Sequence, residues 1–427
     1  MATNHLAPKV LFVASELTPI AKVGGLGDVI GSLPQALRKC GVDARVIIPR
    51  YEMISRGKLR FIGSLDPRTR VYETQVRGVP VYCLDNPRHL SRGPIYFSKT
   101  AFVDSQREFD RFMFFSKAVS IFLDKEFFLP DIVHCNDWHT GALARSLRGS
   151  RVKTVFTIHN LANQGIWNRR NLMAEGIRAA DFVTTVSPTY GREILASAQG
   201  EGLEGLLRRR NRERKLKGIL NGIDTSFWPI TKRNKTLFEK SIGLRFDAET
   251  PLFGLVARLT KQKGIHLILP FISGLIEKKR ARFVFLGQGE RKLENRLQAL
   301  AKRFPESVFT EIGFDEKLAH RVYANSDFFL MPSIFEPCGL GQMIAMHYGT
   351  IPIVRSTGGL RDSVKDGKTG FVFKPISTAA LSKTMNRAIQ SYRNKVVFKK
   401  MRKNCRQADF SWDASARQYE KLYRSLL

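Results

Sequence analysis

Short, continuous runs of apolar, mostly β-branched residues recur along this sequence and constrain its fold more than any other feature. Continuous runs indicate parallel strands buried on both faces, whereas alternation would indicate strands with one solvated face. The predicted strands are 10–14, 44–49, 132–135, 154–158, 182–186, 252–256, 283–286, 328–331 and 351–354. Helical patterns separate them: Ile30, Leu33 and Leu37 share one helical face, and Gly41 is expected to end that helix. Repeated strand–helix units predict an α/β protein with doubly wound parallel sheets.

The strands fall into two sets, which a polar and basic stretch separates. The first set ends near 221–224, the stretch occupies 231–240, and the second set begins at Pro251. We therefore predict domains at 1–228 and 245–405. Ligands of doubly wound sheets bind at the carboxyl ends of the strands, so two such domains are predicted to enclose a binding cleft.

The charge of the chain is strongly positive. Among 427 residues, 70 Lys and Arg oppose 38 Asp and Glu, a formal net charge of +32. Such a charge attracts polyanions, including nucleic acid. However, the densest run, 208–217, has no interleaved aromatic residues, and no zinc-finger or RNP pattern is present. A solvated basic surface is the favoured interpretation, and polyanion binding stays open as the alternative.

Several other classes are disfavoured. No segment has 18 consecutive apolar residues, so neither a transmembrane helix nor a membrane partner is predicted. The run 10–14 is too short for a signal-peptide core, and a cytoplasmic location is expected. The five cysteines are widely spaced without a Cys-x-x-Cys pattern, so reduced thiols are expected in place of disulfides or a zinc site.

A glycine-rich turn follows the first predicted strand, in the segment Ala-Lys-Val-Gly-Gly-Leu-Gly-Asp at 21–28. Gly24 and Gly25 would let the backbone approach a ligand before a helix begins. Lys22 adds a charge that suits a phosphate or a sugar hydroxyl. The spacing is not that of a dinucleotide-binding fingerprint, and a purely structural role for these glycines is equally compatible with the pattern.

Two further groups follow predicted strands at their carboxyl ends. Asp137 and His139 could bind sugar or ribose hydroxyls, although Asp137 could equally cap a helix. His159 follows strand 154–158 and could bond a sugar hydroxyl, although a lone histidine is more often structural.

Two cations follow the first strand of the second set. Arg258 and Lys263 lie in a loop that opens a helix, and this combination suits a phosphate group. The chain contains no Asp-x-Asp sequence, a common carboxylate pair for a divalent ion. We therefore predict stabilisation of a leaving diphosphate without a metal or other cofactor.

A carboxylate and a tight turn follow strand 328–331. The amides of Cys338, Gly339 and Leu340 are expected to bind an anion, and Glu336 beside them would repel phosphate unless it faces a sugar. We therefore predict a functional role for Glu336. For the Gly-Gly pair at 358–359, close packing and ligand contact are equally compatible with the sequence.

The motifs occur in a characteristic order. K-V-G-G-L-G-D at 22–28, N-D-W-H-T at 136–140, T-I-H-N-L-A-N-Q-G at 157–165, V-S-P-T-Y at 186–190, L-N-G-I-D at 220–224, R-L-T-K-Q-K-G at 258–264 and F-E-P-C-G-L at 335–340 stand in succession. Together they resemble the bacterial glycogen synthase and plant starch synthase family, glycosyltransferase family 5. The resemblance extends through F-S-W at 410–412.

The resemblance implies a GT-B fold, in which two Rossmann-like domains with doubly wound parallel sheets face a central cleft. It also implies that a C-terminal helix at 410–427 packs back on the first domain. The implied reaction transfers glucose from ADP-glucose to the non-reducing end of an α-1,4-glucan, with retention of configuration. The implied partners are therefore a nucleotide sugar and an α-glucan.

The resemblance also implies roles for individual residues. His159 would bind the glucose 6-hydroxyl, Arg258 and Lys263 would hold the diphosphate, and Glu336 would lie beside the transferring glucose. The implied substrate-binding residues are Lys22, Gly24, Gly25, Asp137, Asn221, Phe314, Cys338, Gly339 and Leu340.

Some positions depart from the family pattern. Asn163 stands where the family has tyrosine, Ala174 where it has lysine, and Gly341 where it has threonine. The segment after Gly165 is also shorter. These departures lie mainly on the acceptor side and leave two alternatives open: a GT-B transferase with a different acceptor, or a catalytically weakened homologue that binds glucan or polyanions.

Overall fold

The computed structural model describes residues 7–97 and 106–427. The chain forms two compact units. One contains the chain up to Gly222 together with Ser411–Leu427, and the other contains Ile223–Phe410. Residues 1–6 and 98–105, which belong to the predicted first domain, lie outside the described residues.

The first unit contains a nine-stranded sheet in the order β11-β10-β7-β6-β1-β2-β5-β4-β3. Its strands are β1 (Lys9–Val13), β2 (Asp43–Pro49), β3 (Arg60–Asp66), β4 (Thr69–Val76), β5 (Val79–Asp85), β6 (Ile132–Asn136), β7 (Lys153–Ile158), β10 (Phe182–Thr185) and β11 (Leu216–Gly218). A separate two-stranded hairpin consists of β8 (Ile166–Trp167) and β9 (Arg170–Asn171). The strands from β11 to β5 are parallel, and β4 and β3 extend the sheet antiparallel.

The second unit contains a six-stranded, wholly parallel sheet in the order β14-β13-β12-β15-β16-β17. Its strands are β12 (Leu252–Val256), β13 (Arg282–Gly287), β14 (Val308–Ile312), β15 (Phe328–Met331), β16 (Ile351–Arg355) and β17 (Phe371–Phe373). Numbered within the unit, this is the order 3-2-1-4-5-6 of a Rossmann sheet. All nine predicted strands are thus confirmed, and their parallel arrangement is confirmed with them.

Helices separate most of the strands. In the first unit they are α1 (Gly25–Ile30), α2 (Leu33–Lys39), α3 (Gln106–Asp124), α4 (Gly141–Ser146), α5 (Leu172–Ala179), α6 (Pro188–Glu193), α7 (Ser197–Gly200), α8 (Glu204–Arg212) and α18 (Trp412–Leu426). In the second they are α9 (Lys235–Ser241), α10 (Ile265–Ile268), α11 (Ile272–Glu277), α12 (Arg291–Arg303), α13 (Glu316–Asn325), α14 (Gly341–Tyr348), α15 (Gly358–Ser363), α16 (Thr378–Arg393) and α17 (Lys395–Gln407).

The helical face at Ile30, Leu33 and Leu37 is divided between two helices. We expected one helix, but α1 ends at Ile30 and α2 begins at Leu33. Pro34 lies in the first turn of α2, and its ring and missing N–H prevent an unbroken helix through this point. Gly41 follows α2 with a φ of 82°, as its predicted stop requires.

The C-terminal helix belongs to the core of the first unit. Trp412, Ala416, Tyr419 and Tyr423 of α18 are buried in the same apolar cluster as Val10 and its neighbours in the sheet. The Tyr423 hydroxyl also lies 2.7 Å from His134 Nδ1 in β6. The last helix is therefore packed against strands that lie hundreds of residues earlier in the chain.

The polar stretch at 231–240 is part of the second unit. Lys235 Nζ lies 2.6 Å from the buried carboxylate of Asp327, and Arg233 bonds the same carboxylate. Phe238 of α9 is buried as well. A stretch whose composition suggested a linker therefore docks on the sheet, because ion pairs compensate the burial of Asp327.

Candidate functional site

Each of the two sheets has one point at which its strand order reverses. The loops that carry the motifs follow the strands on either side of that point. In the second unit the reversal lies between β12 and β15, which are followed by the loops of Arg258 and Glu336. In the first unit it lies between β1 and β6, which are followed by the loops of Lys22 and Asp137. Such switch points are the usual ligand sites of open α/β sheets.

Two loops of the second unit are joined by hydrogen bonds to their backbone carbonyls. Ile334 N donates to Gln262 O at 2.8 Å, and Gln262 Nε2 donates to Phe335 O at 3.1 Å. Gly264 has a φ of 73°, and a Cβ placed there would lie 2.0 Å from Pro332 O. Only glycine therefore permits the close approach that places the loop of Lys263 beside the loop of Glu336.

This approach produces an ion pair. Lys263 Nζ lies 2.6 Å from Glu336 Oε2, and both side chains are largely buried. Ser333 Oγ donates to the same oxygen at 3.0 Å. Two donors thus fix one carboxylate oxygen, while the pair brings together two residues that are predicted to be catalytic. Sequence patterns did not point to Ser333, because nothing in the sequence distinguishes it from other loop serines.

Arg258 and Phe314 are exposed in the second unit. The guanidinium of Arg258 makes no ion pair with the described residues, which leaves its charge available. Phe314 follows the edge strand β14, and its side chain is 81% exposed. The ring is accessible, and its contact with a ligand stays a prediction.

The turn after Glu336 is stabilised by hydrogen bonds to its carbonyls and by close packing against a neighbouring backbone segment. Gly339 has a φ of 70°, and Gln342 Nε2 donates to the carbonyls of Cys338 and Gly339. A Cβ on Gly358 would lie 1.9 Å from Glu336 O, and one on Gly359 would lie 2.2 Å from Cys338 O. For the Gly-Gly pair, close packing is therefore confirmed. Leu340 precedes α14 as its N-cap.

In the first unit, a buried carboxylate organises the glycine turn. Glu16 Oε2 accepts the amides of Val23 and Gly24, both at 2.7 Å. Lys22 Nζ lies 2.6 Å from Asp28 Oδ1, and Gly25 begins α1. The N–H of Gly24 is therefore engaged within the protein, which differs from the open backbone that its glycine-rich sequence suggested.

Asp137 adopts a φ of 55°, which is rare for a residue other than glycine or asparagine. Its carboxylate does not cap the following helical turn, so that alternative is wrong. Instead, Oδ1 accepts the amide of His159 at 2.7 Å and that of Asn160 at 3.4 Å. Burial raises the pKa of Asp137 to about 7, the nearby Glu16 carboxylate adds to the rise, and the two amides oppose it.

The hydrogen bonds of Asn136 determine which tautomer the His159 ring adopts. Asn136 Nδ2 donates to the carbonyls of Val13 and His134, so Oδ1 accepts from His159 Nε2 at 3.0 Å. The neutral imidazole therefore presents Nδ1 as an acceptor. Burial lowers the pKa of His159 to about 3, so the ring is neutral at physiological pH.

Asn221 and His139 each have a buried side-chain atom that finds no hydrogen-bond partner among residues 7–97 and 106–427. The atoms are Asn221 Oδ1 and His139 Nδ1. Unsatisfied buried polar atoms are costly, and a ligand hydroxyl, which can both donate and accept, would satisfy both. Asn221 follows β11, three strands from β6 in the sheet, and is thus well separated from Asp137.

Comparison with known proteins identifies the family. A family model for the starch synthase catalytic domain matches residues 9–209, and one for group 1 glycosyl transferases matches residues 238–412. Glycogen synthase from Geotalea daltonii is 39% identical over 98% of this chain and 99% of its own. This chain belongs to the glycogen and starch synthase family. It is therefore a glycosyltransferase, and the predicted family is confirmed.

Solved structures of the family and fold agree. The catalytic domain of starch synthase IV from Arabidopsis thaliana, solved with ADP and acarbose, matches with a TM-score of 0.85 and 31% identity, over 98% of this chain and 99% of that chain. Sucrose-phosphate synthase from Thermosynechococcus elongatus matches with a TM-score of 0.67 and 19% identity, over 98% and 99% of the two chains, and bears on the fold alone. The predicted GT-B fold is confirmed.

Two departures from the family pattern have structural consequences in this glycosyltransferase. The shortened segment after Gly165 forms the β8–β9 hairpin, which exposes Ile166 and Trp167. At Gly341, a Cβ would lie 3.1 Å from both Met331 Sδ and Phe329 Cε1, so the neighbouring core leaves little space for a larger residue.

The described residues contain no helix long and apolar enough to span a membrane. Within 7–97 and 106–427, no group of three or more His, Cys, Asp or Glu residues could hold a metal ion. All five cysteines lie in this part of the chain, and none is paired. The assigned roles of the individual site residues, and metal independence, stay predictions.

Proposed function

We propose that this glycosyltransferase transfers glucose from ADP-glucose to the 4-hydroxyl at the non-reducing end of an α-1,4-glucan, with retention of configuration, in the cytoplasm and without a divalent metal. The observation that supports this most is the Lys263–Glu336 ion pair at 2.6 Å. It joins a cation suited to a diphosphate to a carboxylate suited to the adjacent sugar. The names of the full-length glycogen synthase relatives support the same reaction.

The second unit would stabilise both charges that develop during transfer. As the bond from the anomeric carbon to the phosphate oxygen breaks, the electron pair leaves with the diphosphate. Arg258 and Lys263 would neutralise that charge, and Glu336 would stabilise the positive charge at the anomeric carbon. The acceptor hydroxyl attacks on the same face, and its proton passes to the departing phosphate oxygen.

The first unit would orient the sugar. His159 Nδ1 would accept the 6-hydroxyl of glucose, because Nε2 already donates to Asn136. Asp137 would hold the His159 backbone through its bond to the amide, and Lys22 would contribute charge toward the donor. Phe314 would contact the adenine by stacking.

A different acceptor is the second candidate. The β8–β9 hairpin, with Trp167 exposed at 38%, replaces the longer family segment. An exposed indole ring can stack on sugars of many kinds, so this surface does not by itself select a linear α-1,4-glucan. A panel of glycogen, short maltosaccharides, sugar phosphates and lipid-linked sugars, assayed for ADP release, distinguishes the two candidates.

Glu336→Gln tests the proposed mechanism. The substitution keeps the shape but removes the charge, so we expect the catalytic constant to fall by roughly 10²–10⁴-fold. The affinity for ADP should change much less, because Arg258 and Lys263 are still present. Steady-state kinetics with ADP-glucose and calorimetric binding of ADP measure the two quantities.

Glu290→Gln is the matched control, because Glu290 accepts the Lys261 amide in the same region without pairing with a predicted catalytic residue. A near-normal catalytic constant for Glu336→Gln would show that the carboxylate is structural. An equal loss of rate and ADP affinity would assign Glu336 to donor positioning.

A further inference from the structure

Glu16 is a buried carboxylate for which the reaction as described has no use. Its side chain follows β1, and the residue is only 3% exposed. It forms no ion pair with any residue in the described part of the chain, and Lys22, the nearest cation along the turn, is paired with Asp28. A buried carboxylate without a counter-ion is destabilising unless hydrogen bonds satisfy it. The groups that donate hydrogen bonds to Glu16 therefore indicate its role.

Two of the three groups that donate hydrogen bonds to Glu16 are backbone amides of the glycine turn. Oε2 accepts the successive amides of Val23 and Gly24, each at 2.7 Å. Oε1 accepts the hydroxyl proton of Tyr96 at 2.7 Å. Hydrogen bonds to a charged acceptor are about twice as strong as those between neutral groups, so one side chain fixes the backbone immediately after Lys22.

The packing around this carboxylate leaves little freedom. A Cβ on Gly27 would lie 3.1 Å from Glu16 Oε2 and 3.3 Å from Lys22 Cγ, so the third glycine of the motif provides space for both side chains. At the base of the turn, Leu17 and Ala21 exchange backbone bonds at 2.7 and 2.8 Å. The turn is therefore closed at its base and held at its tip by Glu16.

We propose that Glu16 is a positioning residue that holds the Lys22–Gly25 turn in the conformation in which it binds the donor sugar nucleotide. This rests on the proposed function, because it assigns the turn to the donor. Glu16 does not touch the substrate. It acts through the Val23 and Gly24 amides, which determine where Lys22 and Gly25 lie.

The test compares Glu16→Ala with Glu16→Gln. Alanine removes every bond to the turn, so we expect kcat/KM for ADP-glucose to fall by about 10²-fold, the effect of a displacement of about 1 Å, with most of the loss in a higher donor KM and a much smaller change in the KM for glycogen. Glutamine should restore donor KM to within a few-fold. Its carbonyl oxygen can accept both amides, and its NH₂ group can donate to the Tyr96 oxygen.

Hydrogen exchange provides a second readout that needs no substrate. The amides of Val23 and Gly24 should be protected in the wild type and in Glu16→Gln, and should exchange faster in Glu16→Ala. Glu52→Ala is the matched control, because the exposed Glu52 also accepts a backbone amide, that of Gly93, at 2.9 Å. It should leave donor KM and turn protection unchanged.

A Glu16→Ala protein with wild-type donor KM would overturn the proposal, as would equal losses for donor and glycogen. If Glu16→Ala does not fold, Gly27→Ala replaces it, since its methyl group presses on the carboxylate. Faster exchange without a rise in donor KM in that variant also overturns the proposal. Wild-type protein that uses no nucleotide sugar would refute the proposed function, whereas unprotected turn amides in wild-type protein would refute the role of Glu16.

Discussion

At the scale of single residues, Asp137 combines backbone strain, burial and a raised pKa. Its positive φ places the carboxylate under the amide of His159, and burial raises its pKa to about 7. Folding therefore favours the protonated form, and ionisation costs stability as the pH rises from about 4 to about 7. This cost is tolerated where the charged form has a use, a pattern typical of functional sites.

Asp137→Asn should separate these effects. Asparagine has the same shape as aspartate, so it carries the same backbone strain and keeps an acceptor for the His159 amide, but it cannot ionise. We expect the wild-type kcat/KM to fall as the pH drops below about 7, and this limb should disappear in the variant. At pH 8 the free energy of unfolding of Asp137→Asn, measured by urea unfolding, should exceed that of the wild type by on the order of 2 kcal/mol.

Asp131→Asn is the control, because exposed Asp131 also accepts a backbone amide, that of Lys9, at 2.8 Å. It should leave the pH profile unchanged. A limb that persists in Asp137→Asn would assign the titration to another group.

At the scale of elements, the loops after β12 and β15 act together because Gly264 allows them to touch. Gly264→Ala introduces a Cβ 2.0 Å from Pro332 O, in addition to the strain of a positive φ. We expect the strain alone to cost about 1–2 kcal/mol and the clash to cost more. The displaced Lys263 should lower the catalytic constant by about 10²-fold.

Gly243→Ala supplies the comparison, because Gly243 has a φ of 76° but open space around its Cβ position. Gly243→Ala should lose only the stability that the strain of a positive φ costs, without a steric clash, and it should retain activity. Thermal unfolding and steady-state kinetics measure both variants. If both variants have the same melting temperature and the same catalytic constant, the contact between the loops contributes to neither stability nor activity.

At the scale of the whole molecule, the net charge of +32 is only partly a solvated surface. Arg208 and Arg209 are exposed, but Arg210 is buried and donates to the carbonyls of Ala180 and Asp181. The basic run at 208–217 therefore contains a structural residue, because a guanidinium can satisfy several backbone acceptors at once.

Replacing Arg208 and Arg209 by Gln should lower the salt concentration at which the protein elutes from heparin. The catalytic constant on short maltosaccharides should stay nearly unchanged, because α8 carries none of the predicted site residues. Arg210→Gln should instead lower the melting temperature. A hundredfold loss of activity in the double variant would place this surface in the reaction and favour the polyanion-binding alternative.

Metal independence also concerns the whole molecule. The chain lacks Asp-x-Asp and has Arg258 and Lys263 to neutralise a diphosphate. We expect activity to persist in excess EDTA. A complete loss that magnesium restores would contradict the prediction, and calcium-loaded EDTA is the control for effects of the chelator itself.

The sequence alone determined nine of the parallel strands, because continuous apolar runs are compatible with few other structures. It did not reveal β3 and β4, whose residues are partly exposed and partly polar, nor β5, which is buried but is interrupted by Pro80. It also did not reveal that the basic stretch around Lys235 docks on Asp327. Local patterns predict elements whose burial is uniform, and they miss those whose burial depends on a distant partner.

The motifs likewise indicated which loops carry the candidate site residues but not how those residues pair. Lys263 and Glu336 are separated by 73 positions, and Glu16 and Tyr96 by 80. Sequence spacing carries no information about such contacts, since the strand order decides which loops meet at a sheet edge. The sequence determined the residue types and their loops, whereas only the tertiary structure decided which donor faces which acceptor, because that depends on the approach of distant backbones.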